Sequence, residues 1–166
     1  SLTPLLKKNG RIRPIAAGDS LRRLAAKALA HTHATEIAEA VGPQQFGVGT
    51  PGGTEALSHA AQVEAGRRPQ DAWVALDLRN AFPSLERDEV LRATAEWAPA
   101  LLPYARLFLG RRSCYRLLGA AGTGERLHAD QGVDQGDPLS PALLGVTPRG
   151  PLAELEGKLR ATLEEE

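Results

Sequence analysis

Asp71-Ala72-Trp73-Val74-Ala75-Leu76-Asp77-Leu78-Arg79-Asn80-Ala81-Phe82 is the stretch whose reading decides the fold. From Trp73 to Leu78 it is a short apolar run with one carboxylate set into it. That is the pattern of a buried or half-buried strand delivering an acid at its C-terminal end. An ionised carboxylate among apolar neighbours is costly unless it is paired, hydrogen-bonded or on a metal, so Asp77 asks for a partner. From this stretch alone two readings stay open: a strand-end ion pair, with Arg79 nearby, or membership of a functional site.

Working outward, Gln131-Gly132-Val133-Asp134-Gln135-Gly136-Asp137-Pro138-Leu139-Ser140-Pro141 is turn-rich and runs into a helix-like piece, Ala142-Leu143-Leu144-Gly145-Val146. Asp137-Pro138 reads as a helix start. Near the N-terminus, Asn9-Gly10 is a strong turn signal between Leu5-Leu6 and Ile12, so residues 1–15 read as a hairpin flanked by Lys7, Lys8, Arg11 and Arg13. Gly18-Asp19-Ser20 reads as a helix start with Asp19 or Ser20 as N-cap. Leu21, Leu24, Ala25, Ala28 and Leu29 follow at helical spacing, and the helix is expected to run through His31 and His33 toward Ala40 and stop at Gly42-Pro43. The two histidines do not share a helix face, which argues against a zinc site.

Gly47-Val48-Gly49-Thr50-Pro51-Gly52 matches G-x-G-x-x-G ahead of a helix-like run from Glu55 to Ala65. It supports a minor Rossmann-like alternative, with Asp71 or Asp77 near the spacing such a site needs, although no convincing strand leads into the loop. After Phe82-Pro83-Ser84 a helix is expected from Glu86 to Trp97, with Ser84 as N-cap and Glu86, Asp88 and Glu89 favouring its N-terminus. Pro99 and Pro103 interrupt, and Tyr104 to Leu109 reads as a short helix ending at Gly110. Ser113 to Leu118 and Arg126 to Ala129 are expected to pair as a hairpin across the turn region 119–124. Leu152 to Glu166 reads as an amphipathic helix.

Four of these stretches, in order, resemble the reverse transcriptases of LINE-like, non-LTR retrotransposons. Asp77-Leu78-Arg79-Asn80-Ala81-Phe82 is similar to that family's motif A, and Gln135-Gly136-Asp137-Pro138-Leu139-Ser140-Pro141 to its motif B. Asn9-Gly10-Arg11-Ile12-Arg13-Pro14-Ile15 with Leu21-Arg22-Arg23-Leu24 resembles its fingers segment, and Gln45 to Ala56 also looks like the family. The resemblance implies an α+β fingers-palm fragment of a right-hand polymerase, with a small antiparallel sheet packed with helices. Residues 1–70 would be mainly fingers, 71–146 the palm motifs A and B, and 147–166 a C-terminal helical tail.

The resemblance also implies roles. Asp77 would be the catalytic metal ligand, joined by the Leu78 backbone carbonyl, on two Mg2+ ions (Mn2+ being an alternative) that stabilise the attacking and leaving oxygens of nucleotidyl transfer. Arg11 and Arg13 would hold the triphosphate, since a guanidinium grips phosphate oxygens as a bidentate fork. Phe82 would lie under the sugar and exclude a 2′-hydroxyl, while Gln135 and Gly136 would contact the nucleotide. Lys7, Lys8, Asp137 and Pro138 would meet the template. The implied partners are an RNA template, a DNA primer and deoxynucleoside triphosphates.

Bounds temper this. The chain has 166 residues, 20 Lys+Arg against 20 Asp+Glu, 42% hydrophobic but only 4% aromatic residues, and a pI near 6.9. The core is therefore expected to be built from Ala, Leu and Val, and the charge balance is not the basic footprint of an autonomous nucleic-acid binder. Basic residues cluster toward the N-terminus, which allows a local phosphate-facing patch. The single cysteine, Cys114, excludes an internal disulfide framework and reads as a small buried hydrophobe. No apolar run of membrane-spanning length occurs, and an intracellular location, nuclear for a eukaryotic retrotransposon, is expected.

The family completes its metal site with adjacent aspartates in a later hairpin, motif C. Nothing after Pro141 supplies them, and Thr147-Pro148-Arg149-Gly150-Pro151 places turn formers after motif B. With no Met and a start at Ser1, the chain reads as a truncated domain that lacks the C-terminal palm and thumb and is inactive alone. The alternatives are a catalytically decayed polymerase-fold nucleic-acid-binding module and the Rossmann-like enzyme.

Overall fold

The computed structural model describes residues 2–118 and 124–164. Of the expected turn region 119–124, residues 119–123 lie outside the described residues, as do Ser1 and the last two residues of the expected C-terminal helix, while Gly124 belongs to a strand. The architecture is α+β: two β-hairpins form one small sheet, with helices between them and after the second.

β1 (Leu2–Leu6) and β2 (Ile12–Ala16) form the first hairpin, antiparallel with Leu6 opposite Ile12. The turn closes where the Asn9-Gly10 signal placed it. Gly10 takes φ 77°, and the Lys7 N–H donates to the Arg11 carbonyl at 2.8 Å. β3 (Ser113–Leu118) and β4 (Gly124–Ala129) form the second, with Tyr115 opposite Leu127. The expected antiparallel sheet is corrected to a mixed one of order β2-β1-β3-β4. Its hairpins meet through their first strands, which run parallel at Leu2 and Leu117.

The strand expected at Trp73 to Leu78 does not form. The segment has no regular secondary structure and pairs with no strand among the described residues, and its apolar residues face solvent, Val74 at 82% and Leu76 at 74% exposure. Strand-like composition encodes a surface that fits a sheet, and here no neighbouring strand is in place to receive it. The desolvation argument for Asp77 falls with it, because Asp77 is exposed too.

α1 (Ser20–Thr32) starts at Asp19, whose carboxylate accepts the Arg22 N–H at 2.8 Å. The helix breaks at His33 and resumes as α2 (Ala34–Val41), ending at Gly42 with φ 85°. The buried face of α1 is not the leucine stripe: Leu21 is 79% exposed, and the inward line is Arg22, Ala26, Leu29 and Ala30. α3 (Gly53–Arg67) follows a run of turns rather than a strand, so the Gly47 loop lacks the lead-in a Rossmann unit requires. Gly53 instead serves packing, since a Cβ there would lie 1.8 Å from the Phe46 carbonyl oxygen.

α4 (Ala81–Ser84) is a single turn entered through Asn80 at φ 53°. α5 (Arg87–Trp97) begins after Glu86, not Ser84. The Ser84 hydroxyl is engaged elsewhere, donating to the Arg79 carbonyl at 3.3 Å. A 3-10 turn (Pro99–Leu101) leads into α6 (Leu102–Leu109), and α7 (Ser140–Val146) starts three residues after Asp137. α8 (Arg149–Glu164) begins within the expected turn: after Thr147-Pro148 the chain is helical again, because Gly150 and Pro151 sit in the first turn, where proline is tolerated. The Arg149 guanidinium anchors it, lying 3.9 Å from the Trp97 ring centroid and donating to the Glu39 and Ala40 carbonyls at the end of α2.

As expected from composition, the core is mostly Ala, Leu and Val, with Ile37 and Tyr104. One cluster joins Ala26, Ile37 and Val41 to Ala93, Leu101, Leu139 and Val146, so helices before and after the Trp73 segment share one interior. A second gathers Val90, Ala105, Leu109, Val133 and Leu143, with Phe82 packed against it. Cys114 is exposed rather than buried, because period-2 alternation on β3 turns Ser113 and Tyr115 inward and Cys114 outward. Among the described residues no helix is long and apolar enough to cross a membrane.

Candidate functional site

Three separated stretches line one open cavity of about 440 Å3: Lys7, Arg11 and Arg13 from the first hairpin, Asp77, Leu78 and Phe82, and Gln135. Arg11, just before β2, and Ile12 and Arg13 at its start all line the cavity. The left-handed turn at Asn80 reverses the Asp77 segment into α4, and Asn is one of the few residues that adopts this conformation readily. Phe82 is thereby both half-buried against the second core cluster and part of the cavity wall.

The loop 131–137 holds these pieces in register. Its Gly132 N–H donates to Leu85 at 2.8 Å and its Val133 N–H to Phe82 at 2.9 Å. On the other side the Ala16 N–H of β2 donates to the Gln135 carbonyl at 3.2 Å. These backbone bonds join hairpin, α4 and loop around the cavity, and the Gln131 side chain adds a bond to the Ser84 carbonyl at 3.1 Å.

Other expected site residues stand elsewhere. Lys8 is in the exposed hairpin turn and outside the cavity wall. Gly136 approaches β2: a Cβ there would meet the Ala16 carbonyl oxygen at 3.1 Å. Asp137 is buried and fully engaged, accepting the Tyr104 hydroxyl at 2.6 Å and the Leu139 N–H at 2.9 Å and pairing with Arg22 at 2.8 Å. Both of its carboxylate oxygens are thus occupied within the fold, and Pro138 follows it outside the cavity wall.

A buried polar network behind the cavity was not read from the sequence. Arg22 also pairs with Asp134 at 2.8 Å, Asp134 accepts the Tyr115 hydroxyl, and the guanidinium lies 4.4 Å from the Phe108 ring centroid. Burial opposes the Arg22 charge, but the Tyr104 hydrogen bond and the two carboxylates outweigh it, and its pKa rises. Burial first, then the bond to Asp137, raises the Tyr104 pKa; burial and Asp134 do the same to Tyr115. Arg87 is a second buried cation. It donates to the Gly132 carbonyl at 3.0 Å, the Arg111 carbonyl at 2.8 Å and Ser113 Oγ at 2.9 Å. The one available signal was helical spacing, which puts Arg22 four and seven residues before Ala26 and Leu29 but also puts Arg23 three and seven before Ala26 and Ala30, so it does not single out Arg22.

No family model, curated protein or solved structure matches the chain.

The donors bear on the metal expectation. Asp77 is the one carboxylate lining the cavity, and among the described residues no group of three or more His, Cys, Asp or Glu could hold an ion. One carboxylate, even with the Leu78 carbonyl beside it, would leave a Mg2+ ion most of its oxygen ligands to come from outside the chain. The two do not make the two-ion clamp.

Proposed function

We propose that the cavity binds the triphosphate of a deoxynucleoside triphosphate, as part of an RNA-directed DNA polymerase domain of retrotransposon type. The observation that carries this reading is the convergence of Lys7, Arg11 and Arg13 with Asp77, Phe82 and Gln135 on one cavity, from stretches far apart in sequence. Phosphate oxygens would be gripped by the guanidinium forks. Asp77 would hold Mg2+ against the same phosphates, which neutralises charge the arginines leave. Phe82, fixed by the core beneath it, would present a wall to the sugar, and the Gln135 amide a hydrogen bond to it. RNA template and DNA primer would be the macromolecular partners. With one carboxylate at the cavity, this chain alone would bind nucleotide without polymerising it.

The test is isothermal titration of a deoxynucleoside triphosphate into the 166-residue chain, with and without Mg2+. Arg13→Ala is expected to weaken binding about tenfold, the scale of a lost hydrogen bond to a charged group. Asp77→Asn is expected to abolish the magnesium-dependent part. Unchanged binding in both variants would sink the proposal. The single carboxylate also favours a second reading, a polymerase-fold nucleic-acid-binding module without catalysis; strand binding with no magnesium-dependent nucleotide binding would select it.

A further inference from the structure

We propose that an apolar pocket beside this cavity takes an unpaired nucleobase from a nucleic-acid strand, one of whose phosphates occupies Arg11 and Arg13 in competition with a nucleotide's triphosphate. The phosphate half of this inference rests on the reading above. The base half rests on separate observations.

The pocket, about 250 Å3, lies between the sheet and the loop 131–135 and is lined by Leu2, Pro14, Pro83, Tyr115, Leu127 and Val133 among others. Pro14, Pro83 and Gln135 line both it and the basic cavity, so the two spaces adjoin across a common wall. A cationic space next to an apolar one matches a ligand with a charged phosphate and a flat, weakly polar ring. A nucleotide within a single strand is such a ligand, and its base is free to leave the stack. The polar Gln131 and exposed His128 also line the pocket, where base edges carry donors and acceptors.

The pocket is preformed. The Gly132 and Val133 N–H groups are bonded to Leu85 and Phe82, and Arg87 Nε holds the Gly132 carbonyl at 3.0 Å. Gly132 takes φ 80°, and a Cβ there would lie 2.6 Å from the Pro83 backbone. Tyr115 is held by its hydroxyl on Asp134, which orders an aromatic ring in the wall. A rigid apolar slot with an ordered ring loses little on accepting a planar base and is tolerant of which base it is.

The experiment compares the unaltered chain's affinity for a short single-stranded oligothymidylate with that for an abasic deoxyribose-phosphate strand of equal length, by fluorescence anisotropy. The base-bearing strand is expected to bind about tenfold tighter, and inorganic tripolyphosphate to displace both. Leu127→Trp, which fills the pocket, is expected to remove the tenfold preference and leave tripolyphosphate competition intact. Equal affinity for the two strands, or a preference that survives in Leu127→Trp, overturns the inference while the phosphate reading stands. Failure of both strands and of tripolyphosphate to bind overturns that reading and, with it, this one.

Discussion

Arg22 Nη2 and Asp137 Oδ2 lie 2.8 Å apart with only 14% and 3% of their side chains exposed, and the same oxygen accepts the Tyr104 hydroxyl. This contact fastens α1 to the loop that forms the cavity wall, with Asp134 as a second acid on the same guanidinium. Replacing Arg22 by Met leaves two buried carboxylates without their cation. Such a loss costs about 3–5 kcal/mol, and urea unfolding of Arg22→Met should show it as a lower midpoint with unchanged slope.

Tyr104 and Tyr115 give the fold an alkaline limit. Both have folded pKa values above the ordinary tyrosine value. Above about pH 10 the unfolded chain releases these protons while the folded one retains them, so stability falls as pH rises; below it the contribution is fully present. Thermal melts between pH 9 and 11, roughly spanning that value, should show a declining midpoint. The decline should be shallower in Tyr104→Phe, which is itself less stable at neutral pH through the lost bond to Asp137.

Two glycines should respond in opposite directions. Gly132→Ala forces a left-handed backbone on alanine and drives its Cβ into Pro83, a loss of at least about 2 kcal/mol. Gly157 lies within α8 with nothing within 4 Å of its would-be Cβ. Gly157→Ala should therefore stabilise by roughly 0.5–1 kcal/mol. Chemical denaturation of the pair separates close packing from helix propensity.

Asp77 makes no demand on stability, because it is exposed on a segment outside the core. Asp77→Asn should leave the melting curve unchanged, within about 0.5 kcal/mol. A clear loss of cooperativity would identify Asp77 as a structural acid and remove it from the proposed site.

The Trp73–Leu78 segment carries an exposed apolar surface that folding does not use. Trp73→Ser with Leu76→Ser should raise the concentration at which the chain stays monodisperse in light scattering, without lowering its melting temperature.

Local signals in the sequence determined the elements with short-range causes. Asn9-Gly10 sets a hairpin because the turn needs positive φ; Asp19 starts a helix because its carboxylate reaches the Arg22 N–H; Gly42 ends one for lack of a Cβ. Composition likewise determined a core of Ala, Leu and Val. These follow from a residue and its immediate neighbours, or from its solubility in water.

Tertiary structure decided what depends on distant partners. Which face of α1 turns inward was set by Asp134 and Asp137, more than a hundred residues away, which outweighed the leucine stripe. Whether Trp73–Leu78 becomes a strand depended on a neighbouring strand, and among the described residues none pairs with it. The parallel contact that makes the sheet mixed joins Leu2 to Leu117. The cavity follows the same rule: the sequence named Arg13, Asp77 and Gln135 separately, and the loop 131–137, bonded to β2 on one side and to Phe82 and Leu85 on the other, brings them to one wall.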